Sequence, residues 1–305
     1  MISVIIPVFN EIGSLPELMD QLQKILHIYK KWEILFVDDG STDGSTEFLN
    51  DLSRKDENVT LIQFHRNYGK SAALSEGFKR AKGEYLITMD ADLQDDPAEI
   101  PNLVKKLEEG FDLVSGWKKE RKDPISKRFP SKIFNYVTRI MTGVKIHDFN
   151  CGLKIYRKAV IKTLDLYGGR HRYIPALAGH NKFRISEIQV NHRPRIHGVT
   201  KYGGSRLFHG FFDLISIIFM NRYTQQPLHL FGFFGLFCGL ASLTVEFYVI
   251  GRKIFSGHSF YEHLALMLFG AMLFILGLWF FSIGLIAEMI TRGAQEKESR
   301  VKQII

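Results

Sequence analysis

Two stretches near the carboxyl end, 228–250 and 264–290, are apolar almost without interruption. Each is long enough to cross a hydrocarbon layer about 30 Å thick as an α-helix. A core helix of a water-soluble domain keeps a polar stripe, whereas these runs are apolar around their full circumference. Two membrane-spanning helices are therefore expected. They divide the chain into a globular domain at 1–204, a juxtamembrane amphipathic helix at 205–226, the two spans within 227–292 and a tail at 293–305. Glu246 is the one clear charge inside the first span, so it should face protein at a helix-packing or oligomer contact. Gly235, Gly239, Gly270 and Gly277 permit close helix approach and point the same way. Glu288 lies close enough to the end of the second span to reach the interface.

Orientation follows from the basic residues. Arg193, Arg195, Lys201, Arg206 and Arg222 precede the first span, Arg292, Lys297, Arg300 and Lys302 follow the second, and only Arg252 and Lys253 lie between. The positive-inside rule then puts both flanks in the cytoplasm. The opening Ile2-Ser3-Val4-Ile5-Ile6-Pro7 has neither a basic region nor a small-residue cleavage site, so no secretory signal is expected. The formal charge of +8 gathers close to the membrane segments, which favours anionic lipid over nucleic acid as the partner. Cys151 and Cys238 fall in different regions and offer neither a disulfide framework nor a thiolate metal site.

Up to about residue 116, short apolar runs alternate with helical patterns. Residues 2–7, 33–37, 60–64, 85–89 and 113–115 read as strands, and 15–29, 45–54, 70–81 and 98–109 as helices. Such alternation predicts βαβ units and a mainly parallel α/β sheet, whose ligands bind at the carboxyl ends of the strands. Four polar clusters fall at those ends: Val8-Phe9-Asn10-Glu11, the run 38–45, Arg66-Asn67-Tyr68-Gly69-Lys70, and Asp90-Ala91-Asp92-Leu93-Gln94. Any βα loop tolerates the turn and N-cap residues of 38–45. The adjacent Asp38 and Asp39 exceed that need, and a carboxylate there can bond a ribose or a base edge. Lys70, a cation at the positive end of a helix, is mildly unfavourable unless it meets a ligand.

The fourth cluster carries the chemistry. Two carboxylates and an amide oxygen at the mouth of a buried strand suit Mg²⁺ or Mn²⁺, which complete their shells with water and substrate phosphate. An EF-hand starting at Asp90 would need Gly at Asp95 and Glu at Pro101, so that reading fails. Asp95 and Asp96, just before Pro97, read instead as a helix N-terminus. There is no glycine-rich phosphate loop and no Walker pattern, so phosphate charge must be met by metal and basic side chains.

In combination, order and spacing, these four motifs resemble those of family 2 glycosyltransferases with a Rossmann-like GT-A fold. Within that family the whole chain resembles the polyprenyl-phosphate branch, which includes the bactoprenol glucosyltransferases and dolichol-phosphate mannose synthases. The resemblance implies that Pro7, Glu11 and Asp39 contact the nucleoside, and that Asp90, Asp92 and Gln94 serve a divalent metal and the diphosphate. It also implies a mobile loop over the donor diphosphate at Arg195, Gly198, Thr200 and Lys201, an acceptor-side carboxylate at Asp148, and a tetramer as the favoured assembly. Lys70, Lys118 and Arg128 are the further candidates for phosphate contact. The related synthases carry Gly-Ser-Arg where this chain has Gly116-Trp117-Lys118, and a lysine supplies charge without a bidentate fork. None of Trp32, Trp117 and Trp279 sits in the Gln-x-x-Arg-Trp motif of processive polysaccharide synthases.

Between 117 and 145 the chain turns basic. After Pro130, residues Ile133, Phe134, Val137, Ile140 and Met141 share one helical face, with Lys132, Asn135 and Arg139 on the other. An amphipathic helix at about 130–142, with its bases toward headgroups, would hold the site against the bilayer. A second such helix is expected at 206–220. The resulting expectation is a metal-dependent, inverting transfer of a hexose, UDP-glucose being the favoured donor, to undecaprenyl or another polyprenyl phosphate at the cytosolic face of an inner membrane. A glycosyltransferase acting on a lipid hydroxyl, or a noncatalytic membrane scaffold of the same fold, are the alternatives. A phosphate monoester is mostly dianionic near neutral pH, its second pKa being about 6, so Asp148 has little proton to remove and is expected to orient the acceptor as much as to act as base.

Overall fold

The computed structural model describes residues 1–119, 125–164, 166–194, 219, 226–257 and 259–295, with side chains omitted at 125–130 and 292–295. Arg195, Lys201 and most of the expected juxtamembrane helix at 205–226 lie outside the described residues, as does the side chain of Arg128. The chain divides into two compact units, Met1–Ile215 and Ser216–Ile305.

The first unit is built on one seven-stranded sheet in the order β3-β2-β1-β4-β6-β5-β7. Its strands are β1 (Ile2–Val8), β2 (Trp32–Asp38), β3 (Val59–Gln63), β4 (Tyr85–Thr88), β5 (Leu113–Trp117), β6 (Lys154–Arg157) and β7 (Ile185–Gln189). β1 pairs in parallel with β2 and β4, and β2 with β3. β6 is inserted antiparallel between β4 and β5, and β7 pairs in parallel with β5. The first helices are α1 (Leu15–Leu26), α2 (Ser45–Lys55), α3 (Lys70–Arg80) and α4 (Ile100–Glu108). They agree with the sequence expectation to within a few residues. Both sheet faces are covered by apolar side chains, Val4, Ile6, Ile34 and Phe36 on one and Ile5, Leu35, Val37 and Leu86 on the other. Central parallel strands buried on both sides read as continuous apolar runs, which is why they were legible.

Chain direction across the sheet reverses between β1 and β4. From β1 the chain steps outward to β2 and β3, then returns to place β4 on the other side of β1. Loops that leave neighbouring strands in opposite directions open a crevice at such a point. Pro7 is tolerated in central β1 because β4 has ended before it, the last β1–β4 pair being Ile5 with Thr88.

α5 (Ile125–Thr142) begins before Pro130, earlier than expected, and keeps Ile133, Ile140 and Met141 of the expected apolar face outward. Asn135 and Thr138 are buried, whereas Ile133, Tyr136, Ile140 and Met141 are exposed. The polar side turns inward because it has work there: Asn135 Oδ1 accepts the Phe149 N–H at 3.3 Å, and Arg139 Nε donates to the Ile146 carbonyl at 3.1 Å. The rest of the unit comprises α6 (Lys158–Ile161) and α7 (Ile174–His180).

The second unit contains α8 (Pro227–Ser256) and α9 (Leu264–Gln295), both long and apolar enough to cross a membrane. Phe233, Phe247 and Trp279 are each about two-thirds exposed, unlike the core residues of a water-soluble helix pair. Gly235, Gly270 and Gly277, expected at a helix-packing or oligomer contact, line the pairing of α8 with α9. A Cβ on Gly277 would sit 2.9 Å from the Gly235 carbonyl oxygen, and one on Gly270 would collide with the Glu246 carboxylate. Ser242 Oγ donates to the Gly270 carbonyl at 2.8 Å. Glu288 Oε2 accepts the Leu228 N–H at 3.3 Å and so meets an otherwise unpaired amide at the start of α8. Glu246 thus packs within the hairpin, and of the four glycines only Gly239 leaves open space around its Cβ position. Gly277→Leu should overpack this contact at a cost of about 1–3 kcal/mol, seen as a lower thermal midpoint of the full chain in detergent. An unchanged midpoint would contradict the close approach.

Candidate active site

The crevice is framed by backbone-directed hydrogen bonds between loops. Asn10, held at φ +56°, donates its N–H to Ser41 Oγ at 2.9 Å and accepts the Thr42 N–H on Oδ1 at 2.7 Å. The Glu11 and Ile12 amides donate to Ser45 Oγ and Asp43 Oδ2. The loop after β1, which presents Glu11 just beyond Pro7, is thereby bound to the loop after β2. Gly40 is required where that second loop passes the Arg66 backbone, since a Cβ there would lie 2.7 Å from the Arg66 carbonyl carbon.

Asp38 and Asp39 have different tasks. Asp38 is fully buried and accepts the Ser41 N–H at 3.0 Å and the Thr46 hydroxyl at 2.5 Å. Asp39 receives the Tyr68 N–H at 2.6 Å on one oxygen and the Gly69 N–H at 2.9 Å on the other, joining the end of β2 to the start of α3. Burial raises the Asp39 pKa despite these two bonds.

β4 ends at the third wall. Leu93, fully buried, takes φ +61°, a conformation that costs a branched residue energy and is found where a turn is functionally constrained. It reverses the chain between Asp92 and Gln94, and Asp92 Oδ1 accepts the Gln94 N–H at 3.2 Å. Ser14, buried at the start of α1, donates to the Ala91 carbonyl at 2.6 Å and anchors the turn. Asp90 pairs with Lys70, whose unfavourable place at a helix N-terminus is thereby explained. Asp96 caps the following turn by accepting the Ala98 N–H at 3.0 Å and also binds Arg193 at 2.7 Å. Asp95 does not cap: it is buried, its carboxylate 2.7 Å from Lys118 Nζ. A buried carboxylate needs a partner more than a helix end needs a second acid.

A segment from the far side of the sheet closes the crevice. Thr88 Oγ1 donates to the Gly152 carbonyl at 2.9 Å. A Cβ on Gly152 would lie 2.7 Å from the Asp90 carboxylate and 2.8 Å from that of Asp95, so only glycine allows this approach. Asp148, buried in the same segment, accepts the Asn150 N–H at 3.0 Å. Lys154 opens β6, is buried, and donates to the Cys151 carbonyl. The sequence reading missed Lys154, because a lysine at a strand end normally reads as solvated; its one signal was its place two residues after Gly152.

These charges shape one another. Burial pushes the Asp90 carboxyl up, but Lys70, with Lys118 and Lys154 behind it, outweighs this and holds it at about 2. For Lys118, burial favours loss of the proton, yet Asp95 beside it leaves the ammonium more firmly protonated than usual. Burial lowers the Lys154 pKa, and Lys70 adds to that, while burial raises the Cys151 thiol to about 12. The structure therefore gathers Asp90, Asp92, Gln94, Lys70, Lys118 and Asp148 around one strand end, with Pro7 near the end of β1 and Glu11 and Asp39 on the adjoining loops.

A strand-end crevice of this kind, lined by paired acids and buried lysines, is suited to an anionic ligand that brings its own cation. Residues 3–165 match the glycosyl transferase family 2 model. The chain is 39% identical over 297 residues, 95% of its length and 88% of the other's, to a dodecaprenyl-phosphate galacturonate synthase of Rhizobium johnstonii. It is 34% identical to an undecaprenyl-phosphate 4-deoxy-4-formamido-L-arabinose transferase of Pseudomonas aeruginosa, covering 100% of this chain and 89% of that one. Glucosyl-3-phosphoglycerate synthase from Mycobacterium tuberculosis, solved with Mn²⁺ and UDP-glucose, shares the fold, with TM-score 0.55, 17% identity and coverage of 72% and 78% of the two chains. The chain belongs to glycosyl transferase family 2 and is a glycosyltransferase of GT-A-like fold.

Gly152→Ala should displace the Asp90 carboxylate and lower sugar transfer at least tenfold while leaving the circular dichroism spectrum unchanged; full activity would show that the contact can relax. The Asp90–Lys70 pair also makes a pH prediction. With the folded pKa depressed from the ordinary 3.8 to about 2, its stabilisation is complete above about pH 4 and is lost as pH falls through 2. The difference in thermal midpoint between wild type and Lys70→Met should therefore shrink between pH 4 and pH 2.

Proposed function

We propose that this protein transfers a sugar from a UDP-sugar to a polyprenyl phosphate at the cytosolic face of a membrane, with inversion at the anomeric carbon. The observation that carries the reading is the acidic turn at the end of β4, ringed by Lys70, Lys118 and Lys154, in a chain aligned almost end to end with two polyprenyl-phosphate transferases. The charge set suits a diphosphate arriving with a divalent ion. Asp90, Asp92 and Gln94 offer the hard oxygen donors that Mg²⁺ or Mn²⁺ takes, and Asp90 already carries a cationic partner in Lys70. Among the described residues no three acidic, histidine or cysteine side chains converge as a closed metal cage, which fits an ion that shares its shell with substrate. When bound, it would offset the charge left on the departing diphosphate.

The chain's own groups supply position and field. Glu11 and Asp39, on loops tied to each other and to α3, are placed for the nucleoside. Lys70 and Lys118 offset phosphate charge, and Asp148, close to Lys154, orients the acceptor. The acceptor phosphate oxygen bonds to the anomeric carbon as the bond to the diphosphate breaks and its electron pair leaves with the nucleotide. Because the acceptor is already anionic, alignment and electrostatics dominate over proton transfer. The exposed Ile133, Tyr136, Ile140 and Met141 on α5, together with two apolar helices of spanning length, support work at a lipid surface.

UDP-glucose is the first donor to test and UDP-galacturonate the second, the latter because of the Rhizobium relative. Asp92→Ala should reduce transfer of labelled sugar from the active donor to polyprenyl phosphate by a factor of about 10² or more. Wild-type rates in that variant would remove the acidic turn from the mechanism.

A further inference from the structure

The 3₁₀ turn Arg170–Tyr173 brings an imidazole to the crevice from a region that none of the sequence motifs covers. The His171 N–H donates to Ser71 Oγ at 3.1 Å, and the ring Nδ1 lies 3.0 Å from the same oxygen. Ser71 is buried in the first turn of α3, next to Lys70, and among the described residues its hydroxyl pairs only with His171. A buried hydroxyl needs an acceptor for its own proton. With the oxygen already receiving the backbone N–H, that acceptor is Nδ1, so the ring proton belongs to Nε2. Burial, reinforced by Lys70 and Arg172, pushes the imidazole pKa well below its ordinary value, and the ring is neutral near pH 7. Asp90 and Lys154 also act on it electrostatically, which puts it beside the carboxylate cluster. Ser71 is the imidazole's hydrogen-bond partner among the described residues, and Nε2–H is left for a ligand.

We propose that His171 is a donor-sugar recognition residue, its neutral Nε2–H donating to a hydroxyl oxygen of the sugar being transferred, and that Ser71 is the positioning residue that fixes this tautomer. The assignment rests on the crevice being a nucleotide-sugar site. Lys70, Lys118 and Lys154 already supply cationic charge for phosphate. An uncharged, rigidly aimed donor is what a sugar hydroxyl calls for, and a site built around such a bond rejects a ligand that lacks the oxygen.

The test compares binding of UDP and of the active UDP-sugar, UDP-glucose or UDP-galacturonate, to full-length wild type, His171→Ala, His171→Gln and Ser71→Ala. A glutamine amide can place an N–H near the position of Nε2. UDP affinity should be the same in all four proteins. Affinity for the UDP-sugar should fall at least tenfold in His171→Ala, recover largely in His171→Gln, and fall in Ser71→Ala. Equal losses for UDP and UDP-sugar would make His171 merely structural, and an unchanged UDP-sugar affinity in His171→Ala would overturn the proposal outright. A wild type that binds neither UDP nor either UDP-sugar would overturn the nucleotide-sugar reading itself, a result distinct from any difference among the variants.

Discussion

The Asp90 carboxylate is the point on which the rest of the first unit converges. It stands at the end of β4, pairs with Lys70 from the start of α3, and is pressed from below by Gly152. Lys118 and Lys154 lie within its field, and Asp95 balances Lys118. Removing any one of these charges would leave another poorly compensated in a buried place, and such groups are costly without their partners. The antiparallel insertion of β6 pairs Lys154 with Thr88 at the end of β4, and so brings the 148–154 segment, with Asp148, back to the β4 turn.

The two sides of the crevice are thereby coupled through packing. The loops after β1 and β2 are bound to one another through Asn10, Ser41 and Ser45, and Asp39 fastens them to α3. On the other side, α5 turns Asn135 and Arg139 toward the 146–149 backbone and leaves apolar side chains outside. The same helix thus supports the segment bearing Asp148 and presents a surface suited to lipid. The 146–149 segment thus links the crevice to that exposed apolar face.

Much of this was legible in the sequence. β1 to β5 announced themselves as apolar runs, and the polar clusters at their ends marked the crevice, because a parallel strand buried on both faces leaves its chemistry to its termini. β6 and β7 were hidden for physical reasons. β6, Lys-Ile-Tyr-Arg, is short and charged at both ends, and β7, Ile-Ser-Glu-Ile-Gln, is a half-buried edge strand with weak alternation. The apolar face of α5 was legible, but not that Asn135 and Arg139 on its other side would partner backbone groups of the 146–149 loop. Asp95 and Lys154 took places set by long-range neighbours, and His171 meets Ser71 from a distant part of the chain, contacts that no local pattern encodes. The glycines of the two apolar helices were recognised as packing residues, but Gly235, Gly270 and Gly277 are used between α8 and α9 of one chain.

The proposed product has a distinctive chemistry. A sugar joined through phosphate to a polyprenol is cleaved by mild acid, whereas a glycoside formed on a lipid hydroxyl survives it. The most direct measurement incubates the purified full-length protein with labelled UDP-sugar and polyprenyl phosphate, extracts the lipid and treats it with mild acid. Release of the label as water-soluble sugar is the expected result; a labelled lipid that resists the treatment would contradict transfer to a lipid phosphate.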